Sequence, residues 1–167
     1  MATKKSLWVL FGILVIWGWV LGSAIQVGAE TMSYKLYSVV IKSDNFPIGD
    51  VEGHAVEIYV RSAFYVFPNE VATAYALGIR DVIKEMGSIS QYVTLTFPDG
   101  STIIRRDQGT RTVAGASYTS EIIKGTGRFE GIKGTHTAKS KLLPVEKWEA
   151  GPKAIGEGTY TFTLPSK

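Results

Sequence analysis

Apolar and polar residues alternate along several short segments of the chain from Met32 onward. A period of two residues is typical of β-strands that bury one face. In residues 158–164 the side chains of Tyr160, Phe162 and Leu164 share one face, and the threonines between them share the other. The pattern predicts a strand with these three residues directed inward.

A second alternating segment runs into a turn. Val93, Leu95 and Phe97 alternate with threonines, and Pro98-Asp99-Gly100 follows with residues that reverse the chain. We therefore predict a β-hairpin between this segment and residues 101–106.

Five further segments complete the predicted topology. Four are strands on the same grounds: residues 33–41, 55–67, 114–123 and 132–143. In residues 71–86 alanines favour a helix while Gly78 and the β-branched residues do not, and we assign this segment to a strand. About eight short strands describe an all-β barrel or sandwich. We predict a closed antiparallel eight-stranded barrel, because closure leaves no exposed edge.

Composition narrows the function classes. The chain has 167 residues and no cysteine, which indicates one domain and excludes disulfides and cysteine nucleophiles. Lys4 and Lys5 precede every acidic residue, so 16 of the 18 basic residues accompany the 15 acidic residues in the remainder. Such a near-neutral domain lacks the positive surface that nucleic-acid binding requires. Hydrolase, protease and kinase motifs are absent from the sequence.

The first 29 residues have the order of a secretory signal. Lys4 and Lys5 precede the uncharged residues 7–25, and small residues end at Ala29. We predict an apolar leader helix that is cleaved after Ala29, which leaves residues 30–167 as one β-barrel domain. The alternative is an uncleaved membrane anchor. Either reading places the domain outside the cytoplasm, in a periplasm, at a cell surface or secreted.

A glycine-rich segment at residues 125–131 is similar to a dinucleotide-binding motif. The third glycine of that motif would fall at Glu130, and no helix is predicted after it. We therefore interpret the segment as a tight return between two strands.

Three stretches together resemble the allene oxide cyclase-like barrel family. They are Phe97-Pro98-Asp99-Gly100-Ser101, residues 125–134, and the closing residues 158–165. The family includes many bacterial secreted proteins and is distantly similar to plant dirigent proteins. The resemblance implies an eight-stranded antiparallel barrel with a lipocalin-like interior, often associated as a homodimer or homotrimer.

His136 is the best candidate for a catalytic side chain. Lysines and threonines occupy alternate positions from Lys133 to Lys141, which marks the outer face of this strand and directs His136 inward. An inward histidine can act as an acid or a base near neutral pH. The alternative is a core histidine that only forms hydrogen bonds.

Other residues are candidates for ligand binding. Tyr160 and Phe162 are expected to face the interior, and Tyr118 faces opposite to Glu121 on its own strand. Arg105 and Asp107 share a face, and we favour a surface ion pair over an inward, ligand-binding pair.

The alternation also divides the strand at residues 55–67 into two faces. Glu57, Tyr59 and Arg61 share one face, opposite valines and an isoleucine, and we interpret the polar face as solvated.

Three functions remain open at this point. The first is a barrel that binds a small, largely apolar molecule in its lumen. The second is a cofactor-independent cyclase or isomerase with His136 handling a proton, and the third is a structural barrel with a filled interior. We predict no cofactor, and no metal because His54 and His136 lack carboxylates at ligand spacing.

Overall fold

The computed structural model describes residues 28–144 and 153–166, which form a closed antiparallel barrel with eight strands in chain order. Each strand pairs with the next, and the last pairs with the first. The strands are β1 (Glu30–Pro47), β2 (His54–Val66), β3 (Val71–Ile83), β4 (Met86–Thr96), β5 (Thr102–Thr112), β6 (Gly115–Thr126), β7 (Lys133–Leu142) and β8 (Lys153–Thr163). The predicted barrel is confirmed, and the predicted leader lies almost wholly outside the described residues.

The segment with ambiguous propensity is a strand, as predicted. In β3 buried and exposed positions alternate throughout, and Ala72, Ala74 and Ala76 point inward. The strand ends at Ile83 instead of continuing to residue 86. Lys84 and Glu85 both adopt positive φ angles, of 49° and 71°, and form a two-residue hairpin turn into β4.

The predicted hairpin between β4 and β5 is also present. The Phe97 amide donates to the Ser101 carbonyl, and the Gly100 amide donates to the Phe97 carbonyl, both at 2.9 Å. Gly100 has a φ of 81°, which glycine adopts without strain. The glycine-rich segment contains a short 3-10 turn, Gly127–Phe129, and returns the chain to β7 as predicted.

One end of the barrel, the phenylalanine end, is closed by aromatic rings. The ring centroid of Phe97 lies 5.5 Å from that of Phe67 and 4.7 Å from that of Phe129. The Arg128 guanidinium lies over the rings of Phe97 and Phe129 and forms an ion pair with Glu70. The ion pair between Arg128 and Glu70 thus links two loops across the packed phenylalanine rings.

The opposite end, the arginine end, is less tightly covered. Arg80 and Arg111 point inward there and are buried. Ser140, Leu142 and Ala154 of the facing strands are only partly buried. Among the described residues, the side chains that cover the arginine end are therefore the more exposed ones. Across the part of the chain that the structure describes, no helix has the length and apolarity needed to span a membrane.

Candidate functional site

The inner face of the barrel holds the residues that alternation directed inward. Tyr160 is 0 % exposed, Phe162 is 5 % exposed and His136 is 1 % exposed. The predicted orientations are therefore confirmed, and Leu164 packs against the same cluster just beyond the end of β8. The functional roles of these residues stay predictions.

His136 forms hydrogen bonds with both ring nitrogens. Its Nε2 atom lies 2.5 Å from the hydroxyl of Tyr34, and its Nδ1 atom lies 2.7 Å from the hydroxyl of Ser120. Burial, together with the charge of Arg105, lowers the pKa of His136 to about 3. The imidazole is therefore neutral at physiological pH, so one nitrogen donates and the other accepts.

A buried carboxylate, Asp107, anchors the next part of this network. Its oxygens accept hydrogen bonds from Arg105 Nε and from Gln91 Nε2, each at 2.7 Å. Burial alone would raise the pKa of Asp107, but the charge of Arg105 and hydrogen bonds from Arg105, Ser120 and Gln91 hold it below its ordinary value. Asp107 is therefore ionised and accepts hydrogen bonds only.

The ionised carboxylate fixes the direction of the chain of hydrogen bonds. Ser120 directs its single proton to Asp107, so its oxygen accepts from Nδ1–H of His136. The Nε2 atom of His136 must then accept from the hydroxyl of Tyr34. Burial raises the pKa of Tyr34, which keeps this hydroxyl protonated as the donor. The four side chains thus form an ordered relay from a phenol to a carboxylate.

The interpretation of Arg105 and Asp107 as a surface ion pair is wrong. Both side chains are about 1 % exposed, and they form a buried ion pair in the barrel interior. Arg105 also donates from Nη2 to the hydroxyl of Tyr65 at 2.8 Å. Alternation along β5 gave the shared face correctly. It could not show which face was inside, because charged residues rarely occupy a core without partners.

The polar face of β2 was also misread as solvated. Tyr59 is fully buried and Arg61 is 8 % exposed, whereas Ile58 on the other face is 40 % exposed. Arg61 Nη2 donates to Gln91 Oε1 at 2.7 Å and to the hydroxyl of Tyr118 at 3.3 Å. Alternation could not show that this face is buried, because β2 presents its apolar residues to the outside and so inverts the usual pattern.

Glycines opposite two tyrosines make room for their phenol groups. A Cβ atom at Gly158 would lie 2.3 Å from the hydroxyl oxygen of Tyr34, and one at Gly78 would lie 2.5 Å from that of Tyr59. Both distances are far below van der Waals contact. Glycine at these positions therefore permits the two phenols to cross the interior and join the polar network.

Two polar atoms in the centre of the barrel have no hydrogen-bond partner among the described residues. They are Arg105 Nη1 and the hydroxyl of Tyr160. The two side chains are neighbours, since the guanidinium carbon of Arg105 lies 5.3 Å from the ring centroid of Tyr160. Buried polar atoms are nearly always paired, and leaving one unpaired costs about 1–3 kcal/mol. A bound molecule with a polar atom beside either of them would remove this cost.

The interior is closely packed in this conformation. Leu95 and Ile103 are fully buried like Tyr160, and an open lumen would have exposed them. A cavity of about 10 Å³ lies beside Ala63 and Ala74. A water molecule needs roughly 10–15 Å³ of such space, so this cavity holds one water at most.

A larger concavity lies on the outer wall of the barrel. It measures about 1050 Å³ and is bordered by outward residues such as Lys35, Thr137 and Lys139, and by Tyr34 and Tyr118. His136, Arg105 and Asp107 are not part of it. The concavity therefore meets the buried network at Tyr34 and Tyr118, and not at its central ion pair.

His54 lies apart from the network, at the start of β2. Its two ring nitrogens contact the carboxylates of Asp50 and Asp81 at 2.5 and 2.9 Å. The hydrogen bonds to Asp81 and Asp50 raise the pKa of His54. Among the described residues, no three histidine, cysteine, aspartate or glutamate side chains are grouped as metal ligands.

Fold and interior together define the class of protein: a closed antiparallel eight-stranded barrel with a buried polar network. Among solved structures, the chain is similar to a pterocarpan synthase dirigent protein, with a TM-score of 0.51 and 19% identity over 87% of this chain and 94% of that chain. The predicted resemblance to dirigent-like barrels is therefore confirmed for the fold.

Two further solved structures are similar at lower scores. A second pterocarpan synthase dirigent protein has a TM-score of 0.45 and 16% identity, over 83% of this chain and 97% of that chain. A pyocyanin demethylase has a TM-score of 0.44 and 16% identity, over 78% and 99%. No family model and no curated protein sequence matches the chain.

Proposed function

We propose that this protein is an exported barrel that binds a small, largely apolar molecule in its interior. The observation that carries the proposal is the unpartnered pair, Arg105 Nη1 and the Tyr160 hydroxyl. Tyr160 packs within the apolar and aromatic core, and Asp107 and Tyr65 take the other donors of Arg105, so a ligand would be held mainly by burial and oriented by one polar atom.

A purely structural barrel explains the close packing but not the unpartnered pair. In a core that serves stability alone, phenylalanine in place of Tyr160 would fill the same space without a buried, unpaired hydroxyl. The packed conformation then represents the empty barrel, and binding requires side chains to move aside.

The arginine end is the proposed route to the interior. The phenylalanine end is closed by the stacked rings of Phe67, Phe97 and Phe129 and by the ion pairs of Arg128. At the arginine end, Ser140 and its neighbours are only partly buried.

Export is the part of the proposal that rests on the sequence. The basic, apolar and small regions of residues 1–29 have the order of a signal peptide. Cleavage after Ala29 would release Glu30, the first residue of β1, and would leave the whole barrel intact.

The ordered relay favours an isomerase as a second candidate function. Tyr34, His136, Ser120 and Asp107 form a row of four hydrogen-bonded groups, and such groups can take a proton from one atom of a substrate and return one to another without a cofactor. Such an enzyme would bind its substrate in the same dry interior and move a proton within it.

Calorimetric titration with a neutral, planar probe, 2-naphthamide, tests interior binding. We expect the wild-type protein to bind it and Tyr160→Phe to bind it at least fivefold more weakly, because the variant lacks the free hydroxyl. The matched control, Tyr92→Phe, changes an exposed tyrosine of β4 and should bind as the wild type does. Equal affinity in all three proteins would contradict the proposed site.

Native mass spectrometry of the protein purified from its own host tests the two functions together. A retained molecule supports interior binding. Incubation of that molecule with the wild type and with His136→Gln then separates the candidates. Conversion to an isomer of the same mass and a different chromatographic retention time, by the wild type alone, identifies an isomerase.

A further inference from the structure

A second group of charged side chains lies inside the barrel, near the arginine end. Arg61, Arg80 and Arg111 together line a cavity of about 20 Å³. All three side chains are at most 9 % exposed. Tyr118 and Ser140, whose hydroxyls can donate hydrogen bonds, border the same cavity.

The charges around this cavity do not balance. Arg80 donates to Glu57 at 2.9 Å, and Arg111 pairs with Glu85. Arg61 contacts no carboxylate among the described residues, because its hydrogen bonds end on the neutral side chains of Gln91, Tyr59 and Tyr118. Among the described residues, one buried positive charge is therefore left without a counterion.

Unpartnered nitrogen atoms accompany the unbalanced charge. Arg61 Nε and Arg80 Nε are both buried and make no hydrogen bond. Both guanidinium groups lie near the ring of Tyr59, with its centroid 5.5 Å from Arg61 Cζ and 4.0 Å from Arg80 Cζ. Cation–π contacts offset only part of the cost of burying a charge.

We propose that this arginine-lined cavity holds a single carboxylate group of the molecule that the barrel binds. The inference rests on the proposed function and adds the chemical class of the ligand: a small, largely apolar acid. One negative charge matches the one uncompensated arginine, whereas a doubly charged phosphate would leave the cavity negative. A planar carboxylate can also accept paired hydrogen bonds from a guanidinium group.

Glu85 forms an ion pair with one of the three arginines from the solvent side of the cavity. It lies in the two-residue turn between β3 and β4, its side chain is 66 % exposed, and its carboxylate contacts Arg111 Nη2. Glu85 therefore stays as the counterion of Arg111, and its nearby negative charge opposes the binding of a further carboxylate.

A matched pair of probes isolates the charge. 2-Naphthoate and 2-naphthamide have nearly the same shape, and only the first carries a negative charge. By calorimetric titration we expect 2-naphthoate to bind the wild-type protein at least tenfold more tightly than 2-naphthamide. Arg61→Met should make the two affinities equal, and Glu85→Gln should increase the preference for 2-naphthoate severalfold. Arg106→Gln, on the exposed face of β5, is the control and should leave both affinities unchanged.

Acetate alone separates failure of this inference from failure of the proposed function. At constant ionic strength with chloride as the balancing anion, acetate should raise the Tm of the wild type but not that of Arg61→Met. An acetate effect without binding of either naphthyl probe would support the carboxylate site and reject uptake of an apolar molecule. Equal binding of both probes, with no acetate effect, would support uptake and overturn the carboxylate site.

Discussion

Arg105 and Tyr160 lie side by side in the centre of the barrel, with 5.3 Å between the guanidinium carbon and the ring centroid, and each retains a buried polar atom without a partner. Tyr65 lies against the same guanidinium, but its hydroxyl accepts a hydrogen bond from Arg105 Nη2. Both tyrosines lie near Arg105, and they differ in whether the hydroxyl is paired.

That difference predicts opposite effects on stability. Tyr160→Phe removes an unpaired hydroxyl and should raise the free energy of unfolding by about 1–2 kcal/mol. Tyr65→Phe leaves Arg105 with a further unpaired donor and should lower it by about 1–3 kcal/mol. Chemical denaturation of the two variants and the wild type measures both changes. If both variants are destabilised alike, the Tyr160 hydroxyl has a partner and the site assigned to it does not exist.

His136 predicts a pH dependence of stability. Its pKa is about 3 in the folded barrel, against an ordinary value of 6.5. Between these values the unfolded chain binds the extra proton, so the free energy of unfolding falls with decreasing pH, by at most about 1.4 kcal/mol per pH unit. His136→Gln can keep both hydrogen bonds but cannot titrate. The wild type should therefore lose its advantage over the variant in free energy of unfolding as the pH falls below about 6. A difference in free energy of unfolding that is the same at every pH would contradict a neutral buried imidazole.

The raised pKa of His54 predicts a pH dependence of stability with the opposite sign. Its pKa is raised by Asp81 and Asp50, so its favourable interactions are complete below pH 6.5 and are lost as the pH rises through the raised pKa. His54→Gln should remove this loss. Denaturation curves from pH 5 to 9 measure it, and a larger loss of stability at alkaline pH in the variant than in the wild type would be the contrary result.

The leader predicts a defined N-terminus in the exported protein. N-terminal sequencing of the periplasmic or secreted fraction should begin at Glu30, since Ala29 is the last small residue before the first charge of the domain. Recovery of the intact chain from the membrane fraction would establish an anchor instead.

The outer face of β2, β3 and β4 predicts self-association. Leu77 and Tyr92 are paired across β3 and β4, and Ile58 and Ile79 are paired across β2 and β3. All four are at least 40 % exposed. We expect the wild type to sediment as a dimer or trimer and Leu77→Glu to sediment as a monomer with an unchanged circular dichroism spectrum. A monomeric wild type at the same concentration would reject the expectation.

Alternation along the chain predicted the strands and the orientation of His136, and the need to leave no exposed edge favoured a closed barrel over a sandwich. In β7 the lysines at alternate positions fixed the outer face, because burying them would cost far more than exposing the other face. The same reasoning failed for Arg61, since β2 exposes Ile58 and buries a charge. The contact between Tyr34 and His136 could not be predicted, because it depends on the pairing of β8 with both β1 and β7 across 102 positions of sequence.

A crystal structure of the protein soaked with 2-naphthamide tests the central claim most directly. Interior binding predicts density for the probe inside the barrel, with its amide within hydrogen-bonding distance of Arg105 Nη1 or the Tyr160 hydroxyl and the side chains of the arginine end displaced. Density only on the outer wall, with the interior packed as in the empty barrel, would contradict it.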